Sequence, residues 1–184
     1  KRRPDVFGQW RNTLAAMTAL AIVGFILFPL MPPRLLDAPC PKNGVNFGGE
    51  CIPHEMRNYN GALNFGFVDT VEMYGGPLHF NSGPASKISN QYAAMPSLHI
   101  GWSTWCVFAL WPIVKKRWQR ILLTLYPTVT LFCIIVTANH YWIDGLGGLL
   151  VFALGYAIGT RIHNWNHNRL DQVLASQMAS HPSH

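Results

Sequence analysis

Four apolar runs of membrane-spanning length constrain this chain more than any other feature of its sequence. A bilayer core about 30 Å thick needs roughly 17–25 mostly apolar helical residues, and the runs at 13–31, 96–114, 121–138 and 143–162 meet that length. Only 12% of the residues are charged, whereas soluble domains are about one quarter charged. The sequence therefore predicts an all-α, polytopic membrane helix bundle with four transmembrane helices. A soluble four-helix bundle is the alternative, but the polar faces of such helices are missing.

The basic residues lie in clusters beside the apolar runs and predict an orientation. With the N-terminus in the cytoplasm, most of the 14 Lys and Arg residues fall on the cytoplasmic side, as the positive-inside rule requires. The exceptions are Arg34, Lys42, Arg57 and Lys87. This clustering attributes the formal charge of +6 to membrane topology and not to nucleic-acid binding. The C-terminus is then cytoplasmic too.

The whole chain, 1–184, is predicted to be one membrane domain. Residues 32–95 form a long extracytoplasmic loop, and loops of this length are usually functional or carry structure of their own. Cys40 and Cys51 could close a small disulfide loop there, or remain free thiols. The polar segment at about 171–184 is predicted to be a disordered tail.

Ionisable residues at membrane depth are costly and therefore indicate functional sites. In the predicted topology His99, His140 and Asp144 all lie at the outer ends of their spans, where short loops bring them together. Arg34 lies just beyond the outer end of the first span. Taken singly, each residue has a simpler interpretation. A histidine near the end of a span can be an interfacial residue, Asp144 can cap a helix, and Arg34 can contact a lipid headgroup. Their joint placement favours one catalytic pocket.

The residue types in this group suit phosphoryl transfer. His140 and Asp144 are four apart and would share one side of a helical turn, where the carboxylate can hold Nδ1–H and leave Nε2 free as a nucleophile or base. Ser97 lies at the start of the second span, where backbone N–H groups suit an anion. Two histidines can then divide the work of attack and proton donation. Arg34 would neutralise phosphate oxygens.

The segments AAMPSLHIGWS (93–103) and TANHYWIDGLGG (137–148) resemble the type 2 phosphatidic acid phosphatase superfamily, which includes the vanadium haloperoxidases. PSLH at 96–99 is similar to its second motif, PSGH, and His140 and Asp144 match the H-x3-D of its third. Leu98 in place of Gly, the HYxxD pattern and the segment FPLMPPR (28–34) resemble the branch that contains fungal inositol phosphorylceramide synthase.

Two cation positions depart from the superfamily pattern. The first motif, K-x6-RP, is not present as written, since Arg34 follows prolines and no Lys precedes it by seven residues. Cys133 and Ile134 replace the Ser-Arg of the third motif. The residues that could substitute for these cations are Arg11, Arg57 and Lys87.

The resemblance implies a phosphohistidine mechanism that needs no metal or other cofactor. In it His140 is the nucleophile, Asp144 orients it, and His99 protonates the leaving group and then activates the acceptor. Ser97 and Arg34 would bind the phosphate. The superfamily core has six helices, so the resemblance also implies two helices upstream of Lys1.

The expected function is therefore that of an integral membrane enzyme acting on a lipid phosphate at the outer face of the cell membrane. The substrate would be a polyprenyl phosphate, phosphatidic acid or phosphatidylinositol. Water as acceptor would make it a lipid phosphatase, and a hydroxyl such as that of inositol would make it a phosphotransferase. Two alternatives remain open: a non-enzymatic transporter or assembly protein with a proton relay, and a zinc-dependent hydrolase using His99, His140 and Asp144.

Overall fold

The computed structural model describes residues 4–36, 66–67 and 94–180, and within them the predicted helical bundle is confirmed. Four α-helices follow one another: α1 (Pro4–Leu27), α2 (Leu98–Leu110), α3 (Arg117–Val136) and α4 (Trp142–Ser180). A 3₁₀ turn, Pro33–Leu35, follows α1. Cys40, Cys51 and almost all of the predicted loop at 32–95 lie outside the described residues.

Three of the four helices are long and apolar enough to cross a membrane: Val6–Leu27, Arg117–Val136 and Trp142–Met178. Large apolar side chains are exposed along them, among them Phe132 and Leu150. A soluble protein rarely exposes contiguous apolar surface of this kind, whereas a lipid-facing surface requires it. The chain is therefore a membrane protein.

The second predicted span differs from the structure in length. Residues 96–114 contain only the 13 residues of α2, which rise about 20 Å at 1.5 Å per residue. This is too short for a bilayer core of about 30 Å. The apolar run was overcounted at both ends, because Pro96 precedes the helix and Pro112 lies in the turn that follows it.

Helices α1 and α4 pack closely and run antiparallel, because glycines of α4 lie against the backbone of α1. A Cβ atom on Gly155 would lie 2.5 Å from the Cβ of Met17, and one on Gly159 would lie 2.5 Å from the backbone nitrogen of Thr13. Both α1 side chains are fully buried. Small residues that permit such approach are the usual contact surface between membrane helices.

The C-terminal segment differs from the predicted disordered tail, because α4 continues through it to Ser180. His167 and Asp171 form an i,i+4 pair on this extension, with 2.9 Å between Nδ1 and Oδ2. Such pairs stabilise a helical turn without tertiary packing. A polar composition therefore indicated solvent exposure here and did not indicate disorder.

A candidate active site at one end of the bundle

Backbone hydrogen bonds bring three separate segments of the chain together at one end of the bundle. The Arg34 N–H, in the 3₁₀ turn, donates to the carbonyl of Ala138 at 2.8 Å. The Ser97 N–H, just before α2, donates to the carbonyl of Asp144 at 3.0 Å. The turn after α1 and the start of α2 are thus each bonded directly to the segment that runs from the α3–α4 loop into the first turn of α4.

Asp144 holds the imidazole of His140 in one orientation. Its Oδ2 lies 3.3 Å from His140 Nδ1 and accepts the backbone N–H of Tyr141 at 2.8 Å. The carboxylate is fully buried and His140 is only 6% exposed. A buried carboxylate at Nδ1 favours the tautomer whose proton is on Nδ1, so Nε2 keeps its lone pair.

Asp144 can act as a helix cap and orient His140 at the same time, so the two interpretations of this residue are compatible. Asp144 is the third residue of α4, and its contact with the Tyr141 N–H is the reach of an N3 side chain back to the N-cap backbone. The same oxygen faces His140. One carboxylate therefore both fixes the start of α4 and orients the imidazole.

The free nitrogen of His140 faces His99 and Ser97 of the second motif. Nε2 lies 3.1 Å from His99 Nδ1 and 3.5 Å from Ser97 Oγ. The two imidazole rings cross at 73° with their centroids 5.2 Å apart. Ser97 is fully buried while His99 is exposed. Nε2 of the buried His140 therefore contacts His99, whose side chain solvent or a ligand can reach.

Burial lowers the pKa of His140 from its ordinary value of 6.5, and the nearby imidazole of His99 lowers it further. The carboxylate of Asp144 and the carbonyl of Ala94 act in the opposite direction without reversing the shift. A neutral His140 is therefore favoured at physiological pH. Burial also raises the pKa of the adjacent Tyr141, which keeps that phenol neutral.

A tight turn after α3 positions His140 in the site. The carbonyl of Ile134 accepts the N–H groups of both Asn139 and His140, at 3.0 and 3.1 Å. Ala138 has φ of 53°, a left-handed conformation that non-glycine residues seldom adopt. In this conformation its carbonyl receives the Arg34 N–H.

Of the predicted site residues, the structure brings together the side chains of His99, His140, Asp144 and Ser97. The backbone of Arg34 joins the same group, and its side chain is 8% exposed. Ile134, which stands at the position of the third-motif arginine, is buried and apolar. Arg57 and Lys87 lie outside the described residues.

Arg11 cannot replace the missing cation, because it lies at the far end of the bundle. It lines a cleft with His163 of α4, and His163 is 19 positions beyond Asp144 on the same helix, a rise of roughly 28 Å. The helical direction of α1 thus rules out one of the candidates that the sequence left open.

Three features of the site had no clear signal in the sequence. The Tyr141 N–H and the left-handed Ala138 depend on backbone conformation, which composition does not specify. The third is the contact of Gly148 with the Ser97 carbonyl, where a Cβ atom would overlap the oxygen. The five glycines at the start and middle of α4 hinted at close helix approach, but not at which residue they meet.

Within the three described ranges, no group of three or more His, Cys, Asp or Glu side chains is arranged to hold a metal ion. In a comparison with protein families, the model described as the PAP2 superfamily matches residues 1–158. No curated protein and no solved structure matches the chain.

Proposed function

The chain belongs to the PAP2 superfamily, a family of phosphatase-type phosphoesterases, and we propose that it acts on a membrane lipid phosphate through a phosphohistidine formed on His140. The observation that carries the proposal is the geometry at His140. Its Nδ1 is held by a buried carboxylate, and its Nε2 is directed at the side chains of His99 and Ser97.

In the first step Nε2 of neutral His140 attacks phosphorus, and the bond from phosphorus to the leaving oxygen breaks. The leaving oxygen takes a proton from His99 in its imidazolium form. His140 then carries the phosphoryl group on Nε2 and a proton on Nδ1. Asp144 stabilises the positive charge that this places on the ring, as a buried carboxylate does for other catalytic histidines.

In the second step His99, now neutral, removes a proton from the acceptor hydroxyl, whose oxygen attacks phosphorus as the P–N bond breaks. This restores the imidazolium of His99 and the neutral imidazole of His140. Water as acceptor releases phosphate, and an alcohol gives a new phosphoester. The exposure of His99 supports this role, since the acceptor must reach it from outside the buried site.

The phosphate would be held by the hydroxyl of Ser97 and the guanidinium of Arg34. Ser97 is fully buried and 3.5 Å from the attacking nitrogen, and Arg34 is tied through its N–H to the loop that carries His140. Arginine suits phosphate because its planar fork matches two oxygens. The substrate would be a polyprenyl phosphate, phosphatidic acid or phosphatidylinositol, with inositol as one alcohol acceptor.

The proposed site faces the extracytoplasmic side, with both ends of the chain cytoplasmic. Support comes from the distribution of Lys and Arg in the sequence. In the structure, Lys116, Arg117 and Arg120 lie at the start of α3, whereas His140 follows its end. The site is thus at the membrane face opposite this basic cluster.

The test uses wild type and His140→Ala in detergent, each incubated with radiolabelled lipid phosphates, with EDTA, and with or without myo-inositol. We expect free phosphate or a labelled acceptor from wild type only, and an acid-labile, alkali-stable label on the wild-type protein. Asn164→Ala, an exposed substitution in the middle of α4 and roughly 30 Å along the helix from Asp144, is the matched control and should behave as wild type. Turnover by a folded His140→Ala protein would overturn the proposal. Loss of wild-type turnover in EDTA would favour the hypothesis of a zinc-dependent hydrolase.

A further inference from the structure

The face of the bundle opposite His140 carries a second group of polar residues that the proposed chemistry does not use. A cleft of about 630 Å³ opens there between the first turns of α1 and the extension of α4. Its polar lining comprises Arg11, Asn12, His163, Asn166, His167 and Arg169. Two arginines and two amide side chains in one cleft complement an anion with hydrogen-bond acceptors.

Contacts across the helix pair set the depth of this cleft in the membrane. Gln9 Nε2 donates to Thr160 Oγ1 at 3.1 Å, and a Cβ atom on Gly8 would meet His163 Nδ1 at 3.4 Å. The apolar run of α1 begins at Thr13, and that of α4 ends at Ile162. Both helices therefore pass from apolar to polar within about one helical turn of each other, near the level where lipid headgroups lie.

An apolar groove continues from the cleft into the membrane. It has a volume of about 340 Å³ and is lined by Asn12, Ala15, Ala16, Ala19, Leu20 and Ile158, among others. Asn12 belongs to both the groove and the cleft. The small alanine side chains of α1 leave room beside α4 for a hydrocarbon chain. A polar cleft and an apolar groove that share a residue match the two parts of a lipid.

We propose that the cleft and groove bind one anionic glycerophospholipid, with its phosphodiester in the cleft and an acyl chain in the groove. Arg11 and the Asn12 amide would contact the phosphate from α1, and His163 and Asn166 would contact it from α4. Among the side chains that the structure describes, one acidic group contacts this cluster: Asp171, whose Oδ2 is 2.9 Å from His167 Nδ1. It offsets part of the positive charge, so a singly charged phosphodiester suits the cleft.

The test measures phosphatidylglycerol binding to the full chain in detergent, in the His140→Ala background so that the lipid is not consumed. Native mass spectrometry counts retained lipids, and a thermal-shift titration gives the Kd. We expect one retained phosphatidylglycerol, and a Kd about tenfold weaker for Arg11→Gln, the loss of one charge-assisted hydrogen bond. Ala16→Leu should also weaken binding, because it fills the groove without altering charge.

Arg117→Gln is the matched control, since it removes the same charge from an exposed position at the same end of the bundle, outside the cleft. Diffuse attraction of basic residues to anionic lipid depends on charge near the surface and not on a particular cleft, so it predicts the same weakening for both variants. Equal weakening by Arg11→Gln and Arg117→Gln would therefore overturn the proposal. Equal binding of phosphatidylcholine, or the same stabilisation by inorganic phosphate alone, would also overturn it.

Discussion

His99 and His140 are hydrogen-bonded to each other through Nδ1 and Nε2 at 3.1 Å, although 41 positions separate them in the chain. The contact occupies the lone pair that the proposed mechanism needs for attack. A phosphoryl group must therefore enter between the two rings and take the place of His99 at Nε2. His99 is then beside the phosphorus, where its proton can pass to the leaving oxygen.

Replacing His99 with Ala should separate the two steps of the reaction. With a phosphoester whose leaving group needs no protonation, such as a nitrophenyl ester, we expect His140 still to be phosphorylated, because attack uses Nε2 alone. Breakdown should slow by about 10²–10⁴-fold, the usual contribution of general acid–base catalysis. Labelled phosphoenzyme should accumulate and be detected after rapid quench. A His99→Ala protein that turns over such an ester at the wild-type rate without accumulating label would contradict this role.

The pH profile should report the shifted pKa of His140. Below that pKa the ring carries a second proton, on Nε2, and has no lone pair for attack. Because burial and His99 lower the pKa, the acidic limb of kcat/KM should lie below pH 6.5. Asp144→Asn removes a charge that raises this pKa, so its residual activity should show an acidic limb at still lower pH. An acidic limb of the wild-type profile above pH 6.5 would contradict the assignment.

Substitutions of Asp144 should affect the stability of the fold and the catalytic rate to different extents. Asn at this position can still accept the Tyr141 N–H, so Asp144→Asn should change stability by less than about 1 kcal/mol, whereas Asp144→Ala also loses the cap contact, worth about 0.5–2 kcal/mol. Both should lower kcat by about 10²-fold or more, because the charge that holds His140 is gone. Thermal melts in detergent and kcat measure the two effects. Equal melting temperatures for Asn and Ala would argue against the cap.

The sequence predicted which side chains would lie together better than it predicted the helices around them. His99, His140 and Asp144 were identifiable because ionisable groups in apolar runs are rare, and spacing by four put His140 beside Asp144. The length of α2 was mispredicted, since apolar composition alone does not show where prolines end a helix. The distance of Arg11 from the site could not be predicted, because it depends on the antiparallel packing of α1 on α4, which no local sequence pattern encodes.

Arg34 should contribute to phosphate binding more than to folding. Arg34→Gln should lower kcat/KM about 10–100-fold, since a hydrogen bond to a charged group is worth about 1.5–3 kcal/mol. Arg34→Lys should recover part of this, because it restores the charge but not the planar fork. Arg120→Gln, an exposed arginine at the other end of the bundle, is the control and should leave kcat/KM unchanged. Equal kcat/KM for the Gln and Lys variants would indicate that charge at position 34 does not serve the phosphate.

Gly148 should set the position of the second motif against the third. A Cβ atom there would overlap the carbonyl oxygen of Ser97 and lie 3.2 Å from the Cβ of Ile100. Both neighbours belong to the start of α2, so Gly148→Ala must push α2 away from α4 and draw His99 away from His140. We expect a destabilisation of about 1–3 kcal/mol, the cost of overpacking, together with a loss of kcat that exceeds any change in KM.

Gly8→Ala is the matched control, because its added Cβ meets His163 at an ordinary 3.4 Å and alanine favours a helix by about 1 kcal/mol over glycine. It should leave kcat unchanged and stability equal or higher, and wild-type kcat in Gly148→Ala would show that the chemistry does not depend on this close approach.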